Sequence, residues 1–131
     1  MRRVVTAACV AGVLALALAP GVRAGRVQAR VTLRVARGYT SAEENLGFSG
    51  LLAGGDIPRG GKRLVLQARQ GRGSWREFSV IHTGADGRFH ASYALQFLGL
   101  GRWQVRVLCK GEAGYPFATG TSNVVRVRVL Q

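Results

Sequence analysis

The chain is 131 residues long, with 19 Lys and Arg against 6 Asp and Glu, so a single domain is expected and chemistry that needs several paired carboxylates is poorly supplied. Seventeen of the basic residues are arginine and only two cysteines occur, which leaves no basis for a disulfide-built scaffold. Such a charge favours anionic partners, among them cell-wall polymers, acidic glycans, lipid headgroups and nucleic acid; it is equally what keeps exposed strands soluble, or what a GC-rich genome writes by default.

Arg2 and Arg3 precede an unbroken apolar run over residues 4–19, and Val22 and Ala24 follow as small residues at a cleavage position. That order describes a secretory signal peptide over 1–24, with a mature domain over 25–131. The alternative is an uncleaved membrane anchor, but the run is shorter than the ~20 apolar residues a spanning helix needs. Removing Arg2, Arg3 and Arg23 lowers the 19 basic residues to 16 against the same 6 acidic ones. Cys9 leaves with the leader. Cys109 then has no intrachain partner, and it is either buried on an apolar strand face or paired between chains.

Residues 26–36, "RVQARVTLRVA", alternate strictly, with Val27, Ala29, Val31, Leu33 and Val35 on one face. Period two with β-branched residues predicts a half-buried strand. "RGYTSAEEN" breaks the pattern and reads as a loop. A second strand covers 46–52 with Phe48 inward, and its Gly47 and Gly50 suggest close packing or a bulge. Dense turn chemistry fills 53–61. Further strands follow at 62–70 (Leu64, Leu66 and Ala68 inward), 74–83 (Phe78 and Val80 inward) and 88–95 (Phe89, Ala91, Tyr93 and Leu95 inward). Asp86-Gly87 between the last two predicts a tight β-hairpin. Strands at 102–110 (Trp103, Val105, Val107 and Cys109 inward) and 121–130 (Val125, Val127 and Val129 inward, Arg126 and Arg128 outward) complete the chain. Seven strands at short spacing without a convincing helix predict an all-β fold, a seven-stranded antiparallel immunoglobulin-like β-sandwich following the signal peptide.

The stretches "GGDIPRGGK", "WREF" before "GADGRF", and "GYPFATG" resemble the bacterial immunoglobulin-like domains labelled carboxypeptidase-regulatory-like, found in secreted and surface proteins of high-GC actinobacteria. The likeness covers roughly residues 27–131. It implies an accessory or spacer module, and despite the label it implies no carboxypeptidase activity. His82, His90 and Cys109 depart from what the resemblance leads one to expect, and "SAEEN" lacks a glycine turn.

Catalysis requires a nucleophile with its base, a metal, or paired carboxylates. Glu43 and Glu44 are adjacent and point apart in extended chain. No catalytic, metal-binding or cofactor-binding residue is assigned. The arrangement that invites a test is His82, Asp86 and His90 around the hairpin, since two imidazoles and a carboxylate suit a divalent metal. A two-residue turn, the form Asp-Gly favours, puts the two histidines on opposite faces, whereas a three-residue loop brings them to the same face. The candidate binding surface is Tyr115, Phe117, Trp75, Arg126 and Arg128. Phe117 either caps the end of the core or joins Tyr115 in an aromatic platform, and Trp75 is either exposed or folded over a sheet edge.

The resulting expectation is an exported, non-catalytic module, secreted or associated with the cell envelope, contacting an anionic cell-wall polymer, a glycan or another surface protein. No specific nucleic acid and no membrane span after leader cleavage are expected. The rivals are a small exported enzyme or metal-binding protein using the His82/His90 pair, and a structural partner that adds an edge strand to another sheet.

Overall fold

The computed structural model describes residues 27–112 and 117–131. The expected leader, its cleavage point and Tyr115 lie outside them. The described residues are mostly strand, with one short 3₁₀ turn at Leu95–Phe97, in keeping with the expected β class. Among them, no helix is long and apolar enough to cross a membrane.

The strands are β1 (Val27–Gln28), β2 (Arg30–Val35), β3 (Tyr39–Ser41), β4 (Asn45–Ala53), β5 (Arg63–Arg69), β6 (Arg76–His82), β7 (Arg88–Ala94), β8 (Gly101–Cys109), β9 (Phe117–Ala118), β10 (Gly120–Thr121) and β11 (Val125–Leu130). A three-stranded sheet runs β2-β4-β7, and a larger one runs β3-β11-β8-β5-β6 with β10 also paired to β8. β1 and β9 form a separate parallel pair.

Both sheets feed one core. Val31, Leu33, Phe48, Leu52 and Phe89 come from the smaller sheet, while Leu64, Leu66, Trp103, Val105, Val107 and Val127 come from the larger. Each sits at alternate positions, because successive side chains of a strand point to opposite faces. Gly50 of β4 explains how the smaller sheet packs. A Cβ there would overlap the Thr32 carbonyl oxygen and the Phe89 ring, so the ring occupies the space a side chain would take.

The two sheets are tied at both margins. Asn123, leading into β11, accepts from the Leu33 amide at 2.9 Å and donates to the Leu33 carbonyl at 3.0 Å, acting as one rung of a ladder against β2. The fold curls toward a half-barrel. At the opposite margin the Ser79 hydroxyl of β6 bonds the Tyr93 hydroxyl of β7 at 2.6 Å, and Phe78 packs edge-on to the Tyr93 ring.

Four readings of the sequence are corrected. First, Tyr39–Ser41 is not loop but β3, paired in parallel with Arg128–Leu130 of β11. Second, that pair and β1-β9 are parallel, so the ladders are mixed and exceed seven strands. Third, Phe78 packs against the core as expected, but Val80 does not face inward. The register slips between Leu66 and Gln67: Leu66 faces Ser79, whereas Gln67 faces Glu77. Phe78 is the extra residue of a bulge that reverses the parity after it. Ile81 therefore faces the core opposite Leu64, and Val80 is exposed. Fourth, Asp86-Gly87 makes a tight turn, with Gly87 donating to the Gly84 carbonyl and Gly84 to the Arg88 carbonyl, but no two-stranded hairpin. β6 pairs with β5 and β7 with β4, so the turn carries the chain from one sheet to the other. Gly87 has φ 87°, a left-handed conformation suited to glycine, and a Cβ there would overlap the Leu52 carbonyl.

Candidate functional site: an arginine face on the larger sheet

On β5 and β8 the core-facing residues are Leu64, Leu66 and Ala68, and Trp103, Val105 and Val107. Their neighbours therefore face away from the core. The register sets Gln67 opposite Arg106 and Arg69 opposite Gln104. These two cross-strand pairs bond side chain to side chain: Arg69 Nε donates to Gln104 Oε1 at 2.7 Å, and Arg106 Nε donates to Gln67 Oε1 at 2.8 Å. Each bond fixes one of the five guanidinium donors and leaves the forked terminal amino groups for a ligand.

Trp75, half-buried just before β6, joins them. The Arg69 guanidinium carbon lies 4.4 Å from the centre of its ring and that of Arg106 lies 4.2 Å away. Cation–π attraction and the glutamine bonds hold the two cations over one indole. Partial burial, and next the charge of Arg69, push the Arg106 guanidinium below its ordinary value. An arginine in a protein nonetheless remains a cation. Four carboxylates are held by other cations; one of them, Glu77, stands opposite Gln67 in the same row as Arg106 and is paired with Lys110. Among the described residues the ion pairs are Arg37–Glu44, Lys62–Glu112, Arg88–Asp86 and Lys110–Glu77, and none neutralises Arg69 or Arg106.

The positive surface continues across β11. Arg126 lies opposite Gln104, and Arg128 opposite Arg102. A recess of about 450 Å³ opens between them, lined among others by Gly38, Gly71, Arg102, Gln104, Arg126 and Arg128. On the other side of the arginine pair, Val65 is matched by Val80 and Leu108 in an apolar row. The face can bind anions along β8 and β11, and it offers no nucleophile–base pair.

Of the residues singled out in the sequence, Arg126 and Arg128 are exposed on this face and Trp75 sits under its arginine pair. Phe117 is not at the surface. It is fully buried and paired with Val27 at the end of the core. His82 lies opposite Arg63 on the larger sheet, and His90 opposite Ser49 on the smaller. Both are exposed and face outward from different sheets, so the fold separates them. Among the described residues no cluster of three or more His, Cys, Asp or Glu could hold a metal ion.

Sequence reasoning missed Arg69, Arg106, Gln67 and Gln104. The alternation that puts them outward was visible, but β5 and β8 are neighbours only through the topology. Neither a protein-family model nor a curated protein sequence matches the chain.

Proposed function

We propose that the chain is an exported, non-catalytic immunoglobulin-like module of the bacterial envelope that binds an anionic polymer through the outer face of its larger sheet. The observation that carries this reading is the Arg69/Arg106 pair. Two guanidinium groups are fixed over Trp75 by bonds to Gln104 and Gln67, and none of the ion pairs among the described residues includes either of them. Crowding like charges is unfavourable in the free protein, and an anion relieves it. The two sheets support the sandwich part of this reading. β2, β4 and β7 share one sheet, β3, β5, β6, β8 and β11 share the other, and two sheets over one core are what a sandwich requires. The resemblance of residues 27–131 to carboxypeptidase-regulatory-like domains points the same way.

The test is binding to polygalacturonate and to polyphosphate, with neutral dextran as control. Binding to both polyanions falls steeply between about 0.05 M and about 0.5 M salt, because screening shortens the reach of exposed charges. Replacing Arg69 and Arg106 together by Gln weakens binding at least roughly tenfold, on the order of 1.4 kcal/mol. Equal binding to dextran, or no loss in the double variant, overturns the reading.

A further inference from the structure

We infer that the outer face of the smaller sheet carries a second anion site, and that one copy of the domain therefore joins two anionic chains. This rests on the reading above and extends it to the opposite side of the molecule.

Leu33, Phe48 and Phe89 turn into the core from β2, β4 and β7. The residues next to them, Arg34, Ser49 and His90, consequently turn outward. The register lines these three up in a single row across the sheet: Arg34 opposite Ser49, and Ser49 opposite His90. The adjacent row is small. Ala36 donates its amide to the Gly47 carbonyl at 2.9 Å, and Gly47 lies opposite Ser92. A recess of about 550 Å³ results, lined among others by Arg34, Ala36, Gly47, Ser49, His90 and Ser92.

Gly47 keeps this recess open. A Cβ there would meet nothing closer than the Ala36 Cβ at 3.8 Å, so packing does not demand the glycine as it does at Gly50. The remaining outward cations are Arg30 and Arg88. The carboxylates that the described ion pairs place at this sheet are Asp86, held beside Arg88 at 3.8 Å in the turn before β7, and Glu44, held beside Arg37 at 3.3 Å between β2 and β4. Arg34 supplies a planar fork for a carboxylate, Ser49 and Ser92 supply hydroxyls, and His90 adds a ring nitrogen. The small floor at Ala36 and Gly47 gives a sugar ring a surface to lie on. The occupant that fits is an acidic sugar unit of a polymer: a pyranose whose carboxylate reaches Arg34.

The two cationic faces point away from one shared core, so a polymer on one leaves the other free. Repeated over many copies, that geometry cross-links polymer instead of only coating it.

The experiment uses a galacturonate trimer for stoichiometry and long polygalacturonate for cross-linking. Calorimetry on the wild-type protein gives two trimers per chain, and light scattering rises when protein and polymer are mixed. Gly47→Val fills the recess with a strand-compatible side chain and changes no charge. Both it and Arg34→Gln give one trimer per chain and lose the scattering while still binding polymer. The Arg69→Gln/Arg106→Gln variant also gives one trimer per chain. One trimer per wild-type chain, or two in Gly47→Val, overturns the second site and leaves the first standing. No binding of either probe by the wild-type protein overturns both.

Discussion

Lys62 Nζ lies 3.0 Å from Glu112 Oε1, with the lysine side chain 1% exposed and the glutamate 37%. Lys110 and Glu77 form a pair of almost the same length, 3.1 Å, with side chains 47% and 50% exposed. The two pairs separate burial from distance. A charge already taken out of water depends on its counter-charge, whereas solvent replaces a partner lost at the surface. Glu112→Ala therefore costs about 1–3 kcal/mol, reduced from the fully buried case by the exposure of the carboxylate. Glu77→Ala costs about 0.5 kcal/mol or less. Denaturant unfolding of both variants checks this, and equal losses would show that the burial of Lys62 carries no energetic weight.

The two glycines of β4 make a second matched pair. Gly50→Ala drives a methyl group into the Thr32 carbonyl and the Phe89 ring, and it destabilises by about 1–3 kcal/mol, as overpacking does. Gly47→Ala meets only the Ala36 Cβ, at an ordinary contact distance of 3.8 Å, and is neutral or mildly stabilising through a less flexible unfolded chain. Thermal melts of the two proteins side by side decide it.

Cys109 is fully buried on β8. Burial pushes its thiol above its ordinary value; Lys62 pulls against that shift and Glu112 adds to it. The thiolate is the reacting species, so the native protein resists iodoacetamide and labels quickly only once unfolded. Mass spectrometry of labelled native and denatured protein measures the contrast. Rapid native labelling would contradict the burial.

Phe117 is 0% exposed and closes one end of the core beside β1. Phe117→Ala leaves a cavity there and costs about 3–5 kcal/mol, the range for truncating a well-buried aromatic. The comparison is the unfolding midpoint against wild type, with Phe97→Ala as a surface control, since Phe97 is 53% exposed. A loss no larger than the control's would place Phe117 outside the load of the core.

Alternation in the sequence was enough to find the long strands and most inward faces, because period two is a local property. Val105, Val107 and Cys109 of β8 sit where that pattern puts them. It failed where a partner strand sets the outcome. Val80 is turned outward by a bulge whose cause lies in the pairing with β5, and Tyr39–Ser41 becomes a strand only because β11 comes alongside, nearly ninety positions later in the chain. The candidate site follows the same division. Arg126 and Arg128 could be assigned outward from their own strand. The Arg69/Arg106 pair needs β5 beside β8, a juxtaposition that no short window contains. Asp86-Gly87 shows the complementary case: its turn chemistry was legible, but the sheets its flanking strands join were not.

The bulge at Phe78 bears on how copies of the domain behave when crowded. β6 is the outer strand of the larger sheet, and it displays Val80 at 44% exposure. A straight strand in that place would present an even row of free amides and carbonyls, a template on which a neighbouring copy could zip and propagate a fibre. The extra residue puts that row out of step and increases its twist, so an incoming strand matches only a few positions before losing phase. The irregularity that reverses the side chains of β6 thus also guards the margin of the sheet against runaway self-assembly.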